Sequence, residues 1–113
     1  MNILSILKII AALATAGTGL LALFKPDATY GFIGLTASSV RGVSEIRAIF
    51  GGLFIALGLV PLFYGTPAYR MLGIGYLAIA VVRLFSIFFD KSFAQSNWIS
   101  LAIEVVFGII LVL

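Results

Sequence analysis

The sequence predicts an all-α fold: an integral membrane four-helix antiparallel bundle with an interfacial segment between helices 1 and 2. Two observations carry this. Of 113 residues, 63% are hydrophobic and only 10% charged, against roughly 25% charged in an average soluble domain, and mean hydropathy is +1.26. The few charges also divide the chain into runs of about 20 apolar residues, the length needed to cross a hydrocarbon core of about 30 Å. A single domain over residues 1–113 is expected.

The first span is expected over about residues 4–24, interrupted only by Lys8, which lies near enough to its start to snorkel to the headgroups. Ala12, Ala14 and Ala16 offer the small-residue spacing of a signal-peptide cleavage site. Lys8 sits within the apolar run and not before it, so a retained span is expected. The stretch Lys25–Arg41 (KPDATYGFIGLTASSVR) mixes Tyr30, Phe32, Ile33 and Leu35 with Gly31 and Gly34, and reads as a partly helical or irregular segment in the interface.

The second span covers about residues 42–64, with Pro61 freeing a carbonyl and bending its end. Gly65-Thr66-Pro67-Ala68-Tyr69-Arg70 reads as a short turn, which makes the second and third spans antiparallel neighbours. The third span covers about residues 71–89 with Arg83 inside it, and the fourth about residues 97–113 with Glu104 inside it. Trp98 suits the headgroup level, where aromatic belts form. The runs are continuous and rich in Leu, Ile, Ala and Gly, where barrel strands alternate apolar and polar residues. By the positive-inside rule, Lys25, Arg41 and Lys91 outweigh Arg70 and Lys8 and put the first and third loops in the cytoplasm.

Helices in lipid associate through close backbone approach and polar contacts. Ser44, Ala48, Gly52 and Ala56, with Gly51 alongside, draw a candidate packing stripe on the second helix. Ala11, Thr15, Thr18 and Ala22 do so on the first. Gly73, Tyr76, Ala80, Arg83 and Ser86 form the third helix's inward face, and Asn97, Ser100, Glu104 and Gly108 the fourth's. Bundle packing is the favoured reading of these stripes over a ligand groove.

The chain contains no His and no Cys, which removes haem ligation, iron–sulfur clusters, Cys-bound zinc, thiol nucleophiles and His-based acid catalysis. No catalytic residue, metal site or cofactor is assigned. The net charge of +3 comes with basic residues scattered singly, so no nucleic-acid surface is expected. The expected partners are membrane lipids, with a membrane-protein partner or a homo-oligomer as further candidates.

Ionisable groups within a span cost about 2.5–3.5 kcal/mol each on insertion scales, so they need partners. At roughly 1.5 Å per residue, Glu45 lies about 5 Å and Arg47 about 8 Å below the first-loop surface, while Arg83 and Glu104 both come out about 9–10 Å below the third. The four sum to zero charge, the signature of a mutually paired cluster. Arg83 with Glu104 is expected as the deepest pair, with Glu45 accepting from Arg83 or from Arg41 one turn back. The cluster reads either as structural glue or as a proton or ligand site, since a guanidinium also holds headgroups and carboxylates.

Glu45-Ile46-Arg47-Ala48 followed by Gly51-Gly52, Arg83 in the third span and Glu104 in the fourth resemble a bacterial family of small four-helix membrane proteins catalogued as a domain of unknown function, similar in size and layout to DoxX-like proteins. The resemblance covers nearly the whole chain and implies a bacterial inner-membrane location. DoxX-like proteins are linked in part to quinol-oxidising complexes, so that likeness implies an accessory role beside a respiratory complex, although a chain without His or Cys departs from any redox catalyst.

Three functions are compatible with these residues. The preferred one is a non-enzymatic accessory or assembly subunit or lipid-associated module. The alternative is an oligomeric proton-coupled small-molecule carrier using Glu104 or Glu45. Small multidrug transporters are similar in length, but their essential acid lies in the first helix, where this chain carries only Lys8. A membrane enzyme would have only a Glu for acid–base work on a lipid or quinone.

Overall fold

The computed structural model describes residues 2–113, and among them every regular element is a helix. Helix α1 spans Ile3–Phe24. A 3₁₀ turn at Pro26–Thr29 leads into the single-turn helix α2, Tyr30–Ile33. Helix α3 runs Val40–Tyr64, α4 Thr66–Phe89 and α5 Gln95–Val112. These four long helices are long and apolar enough to cross a membrane, which makes the chain an integral membrane protein. The segment before α3 is partly helical and stops at Gly34, whose φ of +77° suits a residue without Cβ.

Three helices start upstream of the sequence expectation, α3 and α4 for reasons of local chemistry. Ser39 caps α3 by accepting from Gly42 N at 3.1 Å, so α3 begins at Val40 and not near 42. Gly65 turns with φ +74°, and Pro67 falls in the first turn of α4, where its missing N–H costs nothing. The expected turn therefore shrinks to one residue, and Thr66–Arg70 is helical. Helix α5 starts at Gln95 instead of near 97.

Helix α3 is not uniform. Residues Ile46–Leu53 form a π-helical stretch between α-helical flanks Val40–Glu45 and Phe54–Tyr64. Pro61 lies inside the final flank without ending it.

The chain divides into two compact units, Ile9–Phe63 and Tyr64–Leu113, the second including the start of α1 through Lys8. In the first unit, α1 and α3 run antiparallel in close contact. A Cβ on Gly58 would fall 2.5 Å from Ala12 O and Ala16 N, one on Gly19 2.7 Å from Ile55 N, and one on Gly51 3.1 Å from Leu23 Cα. The seam on α3 thus runs through Gly51 and Gly58. Of the stripe read from the sequence, Ser44, Ala48, Gly52 and Ala56 are exposed and only Gly51 is buried. The stripe lies on the exposed face from Ser44 onward, before the π stretch begins, while the buried positions Ile46, Gly51 and Gly58 follow spacings of five and seven, the first step taken across the i→i+5 turns. On α1, Ala11, Thr15 and Ala22 are buried, but Ala12, Ala16 and Gly19 are buried too.

In the second unit α4 and α5 form an antiparallel hairpin. A Cβ on Gly73 would fall 2.8 Å from Leu111 Cβ, and Gly108 lies beneath Leu77. Tyr76 meets Phe107 edge to face at 5.6 Å. At the connecting loop, Phe88 makes edge-to-face contacts with Phe93 and Trp98, at 6.1 and 6.0 Å.

Candidate functional site

The strongest polar constellation lies within the α4–α5 hairpin. Arg83 stands six residues before the end of α4, roughly 9 Å by helical rise, and Glu104 lies on the face of α5 opposite it. Arg83 Nε donates to Glu104 Oε1 at 2.8 Å and Oε2 at 3.0 Å, and Nη2 donates to Oε2 at 2.7 Å. This fork-on-carboxylate geometry is the strong form of a charge-assisted contact. Glu104 is 8% exposed.

Asn97 completes the arrangement. It sits seven residues before Glu104, two turns along the same face of α5, and its Oδ1 accepts from Arg83 Nη1 at 2.7 Å. Its Nδ2 donates to Ser92 O and Ser92 Oγ, both at 3.1 Å, so the loop fixes which way the amide points. The sequence places Asn97 on the inward face of the fourth span but not among the charged residues of the site. The seven-residue spacing from Glu104 is the signal that could have found it.

A groove of about 490 Å³ opens beside this pair, lined by Ala78, Ile79, Val82, Arg83, Ser86 and Asn97. The walls are apolar apart from the last three. Ser86 Oγ donates to Asp90 Oδ2 at 2.7 Å, which carries a carboxylate to the loop end of α4. The Arg83 side chain is 31% exposed, so its charge is paired yet reachable from the groove.

Glu45 and Arg47 have other partners, inside the Ile9–Phe63 unit. Arg41 Nη2 and Nε reach Glu45 Oε1 at 3.0 and 3.1 Å, one helical turn apart, with side chains 82% and 56% exposed. Arg47 Nη1 donates to Leu23 O at 3.0 Å. Leu23 belongs to the last turn of α1, whose carbonyls lack intrahelical donors, and a cation there also suits the helix dipole. Arg47 thus caps α1.

Among the described residues no group of three or more His, Cys, Asp or Glu is placed to hold a metal ion. The arrangement around Arg83 can instead hold a polar headgroup or carbonyl by hydrogen bonds while the apolar wall receives an alkyl chain.

Comparison with known proteins gives no match among curated proteins and none among solved structures, so no DoxX-like similarity emerges. A family model matches residues 3–113. Because that match takes in almost all of a chain built from four apolar spanning helices, the protein belongs to the family described as Domain of unknown function (DUF4345).

Proposed function

We propose that the protein is a non-catalytic, lipid-associated membrane module that holds the polar end of an amphiphile against Arg83, with the amphiphile's chain along Ala78, Ile79 and Val82. The single observation that carries this is the groove: a reachable guanidinium, held rigid by Glu104 and Asn97, at the edge of an apolar wall. The same reading includes a bacterial inner membrane with the first and third loops cytoplasmic, and leaves room for a protein partner or a second copy.

The test is native mass spectrometry of the chain extracted gently from its own membrane, beside Arg83→Ala. A lipid-sized adduct lost in the variant supports the reading. A bare chain in both samples overturns it, and a co-purifying protein retained by both favours the accessory-subunit form.

A second reading, an oligomeric proton-coupled carrier, draws on the burial of Glu104 beside the groove. Glu45 contributes less to it, since that carboxylate is exposed and engaged by Arg41. Unchanged proton-coupled uptake by Glu104→Gln in proteoliposomes removes this reading.

A further inference from the structure

We infer that the groove beside Arg83 selects an uncharged, hydroxyl-bearing acylglycerol over an anionic lipid; this rests on the amphiphile reading above and names its ligand class.

Charge and donor–acceptor complementarity both favour a neutral ligand. Arg83 is the only cation lining the groove, and Glu104 engages it through both carboxylate oxygens, so the pair is already neutral. A phosphate or carboxylate headgroup entering there would have to compete with Glu104 or bring a second negative charge against it in a medium of low dielectric, where like charges repel strongly. Asp90, bound to Ser86 at the loop end and next in sequence to Lys91, adds a further negative group. A neutral acceptor meets no such penalty.

The remaining valences are specific. Arg83 spends Nε–H and one Nη2–H on Glu104 and one Nη1–H on Asn97, which leaves one N–H on each terminal nitrogen of the fork. Those donors suit a carbonyl oxygen. Ser86 gives its only hydrogen to Asp90, so toward a ligand its Oγ can only accept. Asn97 has both ends of its amide committed, to Arg83 and to Ser92. Arg83 and Ser86 are three residues apart and so share one face of α4. A ligand that satisfies both brings a carbonyl acceptor and, close by, a hydroxyl donor, with no formal charge. An ester carbonyl next to a free glycerol hydroxyl has this chemistry, and its acyl chain matches the Ala78, Ile79 and Val82 wall.

The experiment uses the full chain in phosphatidylcholine nanodiscs doped with equimolar dioleoylglycerol, trioleoylglycerol and dioleoyl phosphatidylglycerol, read by native mass spectrometry. The wild type is expected to retain dioleoylglycerol about tenfold over phosphatidylglycerol. Glu104→Gln, which unmasks the guanidinium charge, shifts that ratio about tenfold toward phosphatidylglycerol, the scale of one hydrogen bond to a charged group. Ser86→Ala leaves the ion pair intact and abolishes discrimination between dioleoylglycerol and trioleoylglycerol, which lacks the free hydroxyl. It decides the matter even where Glu104→Gln fails to fold. Wild-type preference for phosphatidylglycerol, or an unchanged diacyl-to-triacyl ratio in Ser86→Ala, overturns the inference while leaving the amphiphile reading in place. Retention of no lipid at all overturns both.

Discussion

Asn97 Oδ1 lies 2.7 Å from Arg83 Nη1, and the same amide donates to Ser92 in the preceding loop, so the loop between α4 and α5 is tied directly to the intramembrane ion pair. Asn97→Ala removes both ties and leaves Ser92 O and one guanidinium N–H unmatched. Destabilisation of about 1–2 kcal/mol is expected, the range for losing hydrogen bonds around a charged partner. Denaturant titration in mixed micelles checks it.

The ion pair itself should show strong coupling. In a double-mutant cycle with Arg83→Met and Glu104→Leu, each single change strands a charge that lipid solvates poorly, whereas the double change strands none. A coupling energy of about 2 kcal/mol is expected, with the double variant more stable than either single variant. Additive effects would show that the pair does not lock the hairpin.

The Arg41–Glu45 contact offers the contrast. Its 3.0 Å separation is close to the 2.7 Å of Arg83–Glu104, but its side chains are largely exposed and one turn apart, so a cycle there should return about 0.5 kcal/mol or less. The same titration, repeated at higher salt, should diminish even that.

Glycine substitutions separate contact from propensity. Gly58→Ala drives a methyl into Ala12 O and Ala16 N, and should cost about 1–3 kcal/mol. Gly17→Ala meets nothing within 4 Å and should stabilise α1 by about 0.5–1 kcal/mol. Thermal unfolding in detergent distinguishes the two by the sign of the shift.

Helix α4 ends with Ser92 N bonded to Ile87 O at 2.9 Å, and Lys91 between them at φ +54°, a position where glycine is usual. Lys91→Gly relieves the Cβ strain and should raise stability by about 1 kcal/mol, read in the same thermal experiment.

What the sequence disclosed divides by physical range. The four spans were legible because hydropathy is a local sum, and α1 ends where Lys25 ends the apolar run. Depth along a helix is also local, so counting residues from the shared loop put Arg83 and Glu104 at one level, where they meet. The start of α4 was missed because Gly65 and Pro67 mark a turn as readily as a helix N-terminus. Apart from Gly51, the seam on α3 is not legible from small-residue spacing, because Ala48, Gly52 and Ala56 put small residues on the exposed face as well. Glu45 was read with two alternative donors, and Arg41 is the one found within its own unit. Arg47 capping Leu23 lay beyond reach because its acceptor is a backbone carbonyl, which no residue type marks, whereas Arg83 and Glu104, 21 residues apart, are marked by their charges.

The π stretch of α3 carries a consequence for how this chain tolerates length changes. A π turn holds one residue more than an α turn over the same rise, so removing a single residue between Ile46 and Leu53 lets the turn relax to α while Val40–Glu45 and Phe54–Tyr64 keep their orientation. Elsewhere in a spanning helix the loss of one residue rotates everything beyond it by about 100°. This stretch is therefore the place in α3 where a one-residue deletion is absorbed locally, at the cost of re-aiming Arg47 and Gly51, the residues that grip the end of α1.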